Sequence, residues 1–170
     1  MHSNIRHSIA RLTLLSLLTS TIAFATSREA RADEPDGQSR SQAKRLEGTW
    51  LTQVTIHDCH TGAIVREFPA LNTFAQGGTL IDTTTAVGPA LRSPGHGTWE
   101  KIGGQRFRAF SLAFLFNPAN VWTGTQTVTQ AIQIGDDPDE LTSTATSQIF
   151  DTGRNLVNTF CSTAVAHRIQ

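Results

Sequence analysis

The chain has 170 residues, of which 38% are hydrophobic, and its 14 Lys and Arg residues balance its 14 Asp and Glu residues. A length of this order supports one hydrophobic core rather than two. The absence of net positive charge argues against nucleic acid as a partner, because such partners require a basic surface.

Residues 1–32 carry the features of an export signal. Positive residues stand at the start, and the apolar stretch Leu12–Phe24 is too short to cross a bilayer as a stop-transfer helix. Small residues suited to cleavage occur at Ala23–Ala25 and at Ala30–Ala32, and the second site leaves a mature chain that begins at Asp33. We expect a secreted or periplasmic protein with no stable membrane span after cleavage; an uncleaved membrane anchor is the alternative.

The mature chain is slightly acidic and begins with a polar segment. Removal of four arginines and one glutamate leaves 10 basic against 13 acidic residues, a net charge of −3. Residues 33–44 contain no apolar residue larger than Ala, so they predict a flexible leader. The packed domain is therefore expected over residues 45–170.

Short alternating segments separated by Gly, Pro, Asn and Asp follow one another along this domain. In the first segment Trp50, Thr52, Val54 and Ile56 occupy every second position, which is the period of a β-strand. The predicted strands are Thr49–Ile56, Ile64–Phe74, Thr79–Thr84, Gly97–Ile102, Arg106–Phe116, Val121–Ile134, Leu141–Phe150 and Leu156–Ile169.

The connections between these segments predict the order of the strands. Gly103-Gly104 and Asp151–Gly153 are hairpin turns, whereas the Gly- and Pro-rich stretch Ala86–Gly97 predicts a long loop at one rim, of the kind that gates a mouth. Eight strands in sequence with short connections favour an all-β fold, an eight-stranded antiparallel up-and-down barrel. Little of the chain remains for helix.

Small and hydroxylated side chains occupy both faces of the sixth and eighth predicted strands. Such side chains fill a barrel poorly, which favours an internal cavity that binds a small hydrophobic or amphipathic molecule. An ordinary packed barrel with a threonine-rich surface is the alternative.

The two cysteines fall on the first and last strand-like segments. Cys59 follows the first segment and Cys161 lies inside the last. These strands are neighbours in a closed barrel, so the thiols can meet and form a disulfide in an oxidising compartment. Two free thiols are the alternative if the protein stays in a reducing compartment.

Two sequence features lie at opposite ends of the domain: Gly48-Thr49-Trp50 opens the first predicted strand, and Arg168 lies near the end of the last. In these features the chain resembles the lipocalins and the wider calycin superfamily. The resemblance implies a barrel whose closed end carries the Arg168 guanidinium over the Trp50 indole, an arrangement that cation–π attraction favours. It implies structural roles for Gly48, Trp50 and Arg168 rather than contacts with a ligand.

Aromatic residues of the central strands are the predicted pocket lining, and two arginines are predicted at its entrance. Arg106 and Arg108 share a strand face, which suits them to hold a carboxylate; a solvated strand edge is the alternative. An ordinary aromatic core would use the same lining residues. The predicted lining consists of Trp99, Phe107, Phe110, Phe114, Phe116 and Trp122.

A barrel enzyme is the second hypothesis for function. His96 stands between two glycines, and Glu100 shares its strand face, so the pair could supply acid and base to a cyclase or isomerase acting on an apolar small molecule. A turn residue is the alternative role of His96. A structural surface protein is the third hypothesis for the chain.

His57, Cys59 and His60 form the densest group of metal-ligating residue types, suited to copper, zinc or haem iron. A disulfide-bonded Cys59 cannot serve as a thiolate ligand. We therefore predict neither a metal site nor a cofactor, and the oligomeric state stays open.

Overall fold

The computed structural model describes residues 45–169; the predicted export signal, the predicted leader and Gln170 lie outside the described residues. No helix within residues 45–169 is long and apolar enough to cross a membrane. Eight strands follow one another: β1 (Gly48–His57), β2 (Ile64–Ala75), β3 (Thr79–Thr84), β4 (Gly95–Gly103), β5 (Arg106–Phe116), β6 (Trp122–Ile134), β7 (Glu140–Asp151) and β8 (Leu156–Arg168).

Each strand pairs with its neighbours in sequence, and β1 pairs with β8 to close the sheet. All of these pairings are antiparallel. The prediction of an eight-stranded antiparallel up-and-down barrel is therefore confirmed. Closure satisfies the backbone groups that an open sheet would expose along the edges of its first and last strands.

A disulfide joins Cys59 to Cys161, as predicted from barrel closure. Cys59 follows β1, whereas Cys161 lies within β8, where it pairs with His57. At the other end of the same seam Trp50 pairs with Arg168. The covalent bond and the Trp50–Arg168 pair therefore hold opposite ends of the β1–β8 seam.

The two faces of the strands differ in burial as the alternation predicts. On β1, Trp50 and Thr52 are buried, whereas Leu51 between them is half exposed. The same alternation on β3 buries Leu80 and Asp82 and exposes Ile81. Even positions of these two strands therefore face the interior of the barrel.

The end of the barrel that carries Arg168, here called the closed end, is filled by a hydrophobic core. Trp99 packs edge-on against Phe74 and Phe107, with ring centroids 6.2 Å and 5.9 Å apart. The Trp99 indole N–H also donates to the backbone carbonyl of Ala75 at 3.0 Å. Other buried members of this core are Leu46, Trp50, Leu80, Ala109, Ile132, Ile134, Leu141 and Ala166.

Arg168 seals the closed end. Its guanidinium carbon lies 4.3 Å from the centre of the Trp50 ring, and its Nε donates to Asp139 at 2.8 Å. Its terminal nitrogens donate to the backbone carbonyls of Arg45 and Glu47. A Cβ at Gly48 would lie 2.6 Å from Arg168 Nη1, so the glycine leaves room for the guanidinium. The geometry that the resemblance implied for these residues is present.

The observed strands agree with the predicted bounds to within two residues. The largest difference is at β4, which begins at Gly95 because Gly95 pairs with Asp82 and His96 pairs with Ile81 and Leu112. Backbone pairing therefore extends into the stretch that was predicted to be loop. The irregular segment between β3 and β4 is residues 85–94.

Candidate functional site

The half of the barrel beyond the closed-end core contains an internal cavity of about 310 Å³. It opens toward the connections after β1, β3, β5 and β7, here called the open end. Residues of seven strands, all except β4, and residues of the β3–β4 loop form its wall. The apolar part of this wall consists of Val54, Ile56, Val65, Phe68, Ala70, Ala86, Val87, Leu115, Val128, Ala145, Ile149, Phe160 and Ala164.

A buried ion pair stands in the wall of this cavity. Arg92 belongs to the β3–β4 loop, but its side chain turns into the barrel and its Nη2 donates to Asp82 Oδ1 at 2.7 Å. Only 5% of the Arg92 side chain and 10% of the Asp82 side chain is exposed. The pair is therefore held in a region that contains little water, where opposite charges interact strongly.

Uncharged polar side chains extend this pair across the cavity. Arg92 Nε donates to Gln126 Oε1 at 2.6 Å, and Gln126 Nε2 donates to Ser147 Oγ at 2.6 Å. Asn72 pairs with Asp82 across β2 and β3, and its Nδ2 donates to Thr52 Oγ1 at 3.1 Å. The five strands β1, β2, β3, β6 and β7 thus each contribute a polar side chain to the cavity wall.

Two buried oxygens near this set have no hydrogen-bond partner among residues 45–169: Asp82 Oδ2 and Ser111 Oγ. Buried polar atoms are nearly always paired, so an unpaired one marks either a site completed by another molecule or a close packing constraint. Asp82 Oδ2 lies next to Gly95. The other carboxylate oxygen, Oδ1, accepts the hydrogen bond from Arg92.

The β3–β4 loop is fixed to β5 by hydrogen bonds on both sides of Arg92. The Phe116 N–H donates to the Leu91 carbonyl at 2.9 Å, and the Ser93 N–H donates to the Phe114 carbonyl at 3.0 Å. The Ser93 hydroxyl accepts from the Phe114 N–H at 2.9 Å. These bonds set the direction of the intervening Arg92 side chain, so the loop places a charge in the cavity wall.

Gly95 provides the space for the Asp82 carboxylate. A Cβ at this position would lie 2.0 Å from Asp82 Oδ2. We expect Gly95→Ala to displace the carboxylate, weaken its bond to Arg92 and lower the free energy of unfolding by about 1–3 kcal/mol. Urea denaturation measures this change.

Two variants control this measurement. A Cβ at Gly88, in the same loop, would meet nothing within 4 Å, so Gly88→Ala should change stability by less than about 0.5 kcal/mol. In a chain that carries Asp82→Ala, Gly95→Ala should cost much less than in the natural chain, because the clashing carboxylate is gone. Equal costs in both backgrounds would contradict the proposed contact.

Exposed apolar side chains surround the open end. Ile64 and Val65 begin β2, Leu156 and Val157 begin β8, and Val87 lies in the β3–β4 loop; all five side chains are exposed. Val65 and Val87 also line the cavity. The apolar character of the wall therefore continues onto the rim.

Carboxylates fix two turns at the open end. The pKa of the Asp58 carboxyl is lowered because the backbone N–H groups of Thr61 and His60 donate to it. The pKa of Asp151 is lowered by the side chain and the backbone N–H of Asn155. A lowered pKa means that both turns are stabilised at neutral pH and lose this contribution as the pH falls through the lowered value.

The predicted aromatic lining does not form the cavity wall. Trp99 and Phe107 are buried in the closed-end core, whereas Phe110, Phe114 and Trp122 are about half exposed. The reason is the alternation of β5, which turns Phe107 inward and Phe110 and Phe114 outward. Phe116, at the end of β5, is intermediate in burial and is not among the cavity residues.

The predicted arginines and the predicted acid–base pair also lie on the outer surface. Arg106 and Arg108 are exposed, and Arg108 Nε lies 3.3 Å from Glu100 Oε1 in an exposed ion pair. His96 is exposed and pairs through its backbone with Leu112. The structure therefore does not bring His96 or Glu100 into the cavity.

The group of metal-ligating residue types, His57, Cys59 and His60, makes other contacts. Cys59 forms the disulfide, and His57 Nε2 lies 2.9 Å from the Thr163 hydroxyl. The backbone N–H of His60 donates to the Asp58 carboxylate. Two open grooves, of about 580 Å³ and 510 Å³, lie along β6, β7 and β8; the predicted site residues Arg106 and Phe107 line the larger one, and His57 and Arg108 line the other.

Comparison with known proteins adds little to this description. No family model matches the chain, and no curated protein matches it. Among solved structures the chain is similar to Rv2717c from M. tuberculosis, with 19% sequence identity and a TM-score of 0.38, over 81% of this chain and 99% of that chain.

Proposed function

We propose that this chain is an exported barrel protein that binds a small amphipathic molecule in its internal cavity. The observation that carries the proposal is the composition of the cavity wall, which combines apolar side chains with the buried Arg92–Asp82 pair and its uncharged neighbours. Pockets of this kind, largely apolar with a few converging polar groups, are typical of small-molecule sites.

The energetics of the ion pair support this proposal. Burying two charges costs several kcal/mol per ion before their attraction is counted, and a well-packed apolar replacement is often equally stable. A barrel that served only as a packed scaffold would gain little from Arg92 and Asp82. Recognition of a polar group on a bound molecule would account for the pair and Gln126, whereas stability alone does not.

The size of the cavity sets the size of the ligand. A volume of about 310 Å³ corresponds to about ten water molecules at about 30 Å³ each. It lies at the lower end of the range for small-molecule pockets. We therefore propose a ligand of about ten non-hydrogen atoms, whose apolar part contacts residues such as Phe68 and Phe160.

Export is supported by two features of the chain. Residues 1–32 have the composition of a secretory signal, and a disulfide such as Cys59–Cys161 persists in an oxidising compartment.

The Trp50–Arg168 contact at the closed end supports membership of the calycin superfamily, many of whose members bind small molecules inside the barrel.

Native mass spectrometry of the mature protein, produced with its signal in an exporting host, tests this proposal. We expect a chain that begins at Asp33, contains one disulfide and retains a small molecule. Ala145→Phe fills the cavity and should abolish this retention, whereas Thr144→Phe, on the outer face of the same strand, should not. Ligand that is retained by both variants would contradict the proposal. So would a natural protein that carries no ligand and binds no amphipathic dye.

A further inference from the structure

We propose that the cavity selects an uncharged polar head group over a carboxylate, and that Asp82 sets this preference. The inference rests on the proposed binding function and names the class of ligand: an amphipathic molecule with a hydroxyl or primary amide at its polar end. The observation behind it is the charge balance of the cavity wall.

Arg92 is the buried cation of the wall, and its charge is already balanced. Asp82 Oδ1 accepts from Arg92 Nη2 at 2.7 Å, and both side chains are at least nine-tenths buried. The remaining polar side chains of the buried set, from Thr52, Gln126 and Ser147 among others, carry no charge. A carboxylate that approached Arg92 would therefore bring a second negative charge close to Asp82 in a poorly hydrated region, where like charges repel strongly.

The hydrogen-bonding capacity of the pair fits a neutral group. Arg92 has five N–H donors, and three of its donor–acceptor contacts go to Asp82, Gln126 and the Ser93 carbonyl, which leaves two N–H groups. Asp82 Oδ2 is a buried acceptor of the wall without a partner among the described residues, whereas Ser111, whose hydroxyl is also unpaired, does not line the cavity. Donors and acceptors are thus both unused, and a hydroxyl or amide can satisfy both kinds, whereas a carboxylate only accepts.

Arg66 is the other charged residue of the cavity wall, and its position differs from that of Arg92. It is exposed at the open end, where its guanidinium carbon lies 5.8 Å from the centre of the Phe68 ring. Solvent screens a charge at such a site, so Arg66 contributes little selectivity between charged and neutral ligands.

Octanamide and octanoate are matched probes for this inference, because they have the same shape and differ in charge at neutral pH. We expect the natural protein to bind octanamide at least tenfold more tightly in isothermal titration calorimetry at pH 7.5. Asp82→Asn leaves the Arg92 charge unbalanced and should shift the ratio of the two dissociation constants at least tenfold toward octanoate.

Two control variants separate this effect from a change in total charge. Glu100→Gln removes one negative charge and Arg108→Gln removes one positive charge from the outer face, away from the cavity; both should leave the ratio unchanged within about twofold. If Asp82→Asn does not fold, Asp82→Asn combined with Arg92→Gln gives a neutral wall that should keep the preference for octanamide.

The outcomes distinguish this inference from the proposed function. A natural protein that binds octanoate as tightly as octanamide would overturn the inference and leave the binding function intact. An unchanged ratio in folded Asp82→Asn would also overturn it. A protein that binds neither probe and retains no other small molecule would overturn both.

Discussion

Replacement of Arg92 by methionine is expected to lower the free energy of unfolding by about 3–5 kcal/mol. The substitution keeps a flexible unbranched side chain but leaves Asp82, with a side chain only 10% exposed, without the cation that lies 2.7 Å away. Gln126 also loses the donor that it accepts from at 2.6 Å. Chemical denaturation monitored by tryptophan fluorescence measures the loss.

Arg108→Met is the matched control, because it removes the same group from an exposed ion pair with Glu100. Exposed pairs contribute about 0–1 kcal/mol, so this variant should be nearly as stable as the natural protein. The double variant Arg92→Met with Asp82→Leu removes both buried charges and should recover at least half of the lost stability. Equal effects of Arg92→Met and Arg108→Met would show that the Arg92–Asp82 pair is solvated in solution.

The double variant also separates stability from function. An apolar wall in place of the ion pair leaves a folded barrel that has lost its means of recognising a polar head group. We expect such a protein to keep its apolar cavity. It should no longer bind octanamide more tightly than a hydrocarbon of the same size that has no polar group. Retained stability with lost selectivity is the result that assigns the pair to ligand recognition.

Removal of the disulfide is expected to be the other large effect. Cys59 and Cys161 are separated by 102 residues, and cross-linking a loop of about 100 residues restricts the unfolded chain by about 4.7 kcal/mol in the chain-entropy model. Measured losses for native disulfides of small secreted domains are about 2–5 kcal/mol. We expect Cys59→Ala with Cys161→Ala to lose about 3–5 kcal/mol in urea denaturation.

The folded barrel should survive this loss at moderate temperature. The β1–β8 seam keeps its backbone pairing from Trp50 to His57 without the covalent bond. Cys161→Ala alone breaks the same bond, so it should lose nearly as much stability as the double variant. Reduction of the natural protein should produce a similar change. A urea midpoint that is the same before and after reduction would contradict this account.

The order and bounds of the strands were predictable from the sequence because each depends on neighbouring residues. Alternation identifies a strand, and Gly, Asn and Asp identify the turn that ends it. Eight sequential strands with mostly short connections predicted a closed barrel. Closure makes the first and last strands neighbours, so it also predicted the contact between Cys59 and Cys161. The early start of β4 was missed because the pairing of Gly95 with Asp82 depends on a distant strand rather than on the Ser93–Gly97 stretch.

The cavity wall was predicted less well, for two physical reasons. Strand β5 is apolar on both faces, so alternation does not show whether Phe107 or Phe110 faces the interior. The wall itself contains many small or polar side chains, such as Ala145 and Gln126, which composition does not mark as pocket residues. Large aromatic residues instead fill the closed-end core.

One feature of the sequence indicates the ion pair. Asp82 is the one charged residue of the segment Thr79–Thr84, and it has the same phase as the apolar Leu80. A charge on the inward face of a strand requires a partner. Its partner was not predictable, because Arg92 lies in an irregular loop and reaches Asp82 only through the bonds that fix that loop to β5.

The fit between Gly95 and the Asp82 carboxylate also constrains how this sequence can diverge. A larger residue at position 95 is disfavoured while the acid remains, since even a Cβ would lie 2.0 Å from Asp82 Oδ2 and would displace the carboxylate. Once the acid is replaced by a smaller residue, glycine is no longer required. The two positions are therefore coupled: the cost of replacing Gly95 depends on whether the acid is present at position 82.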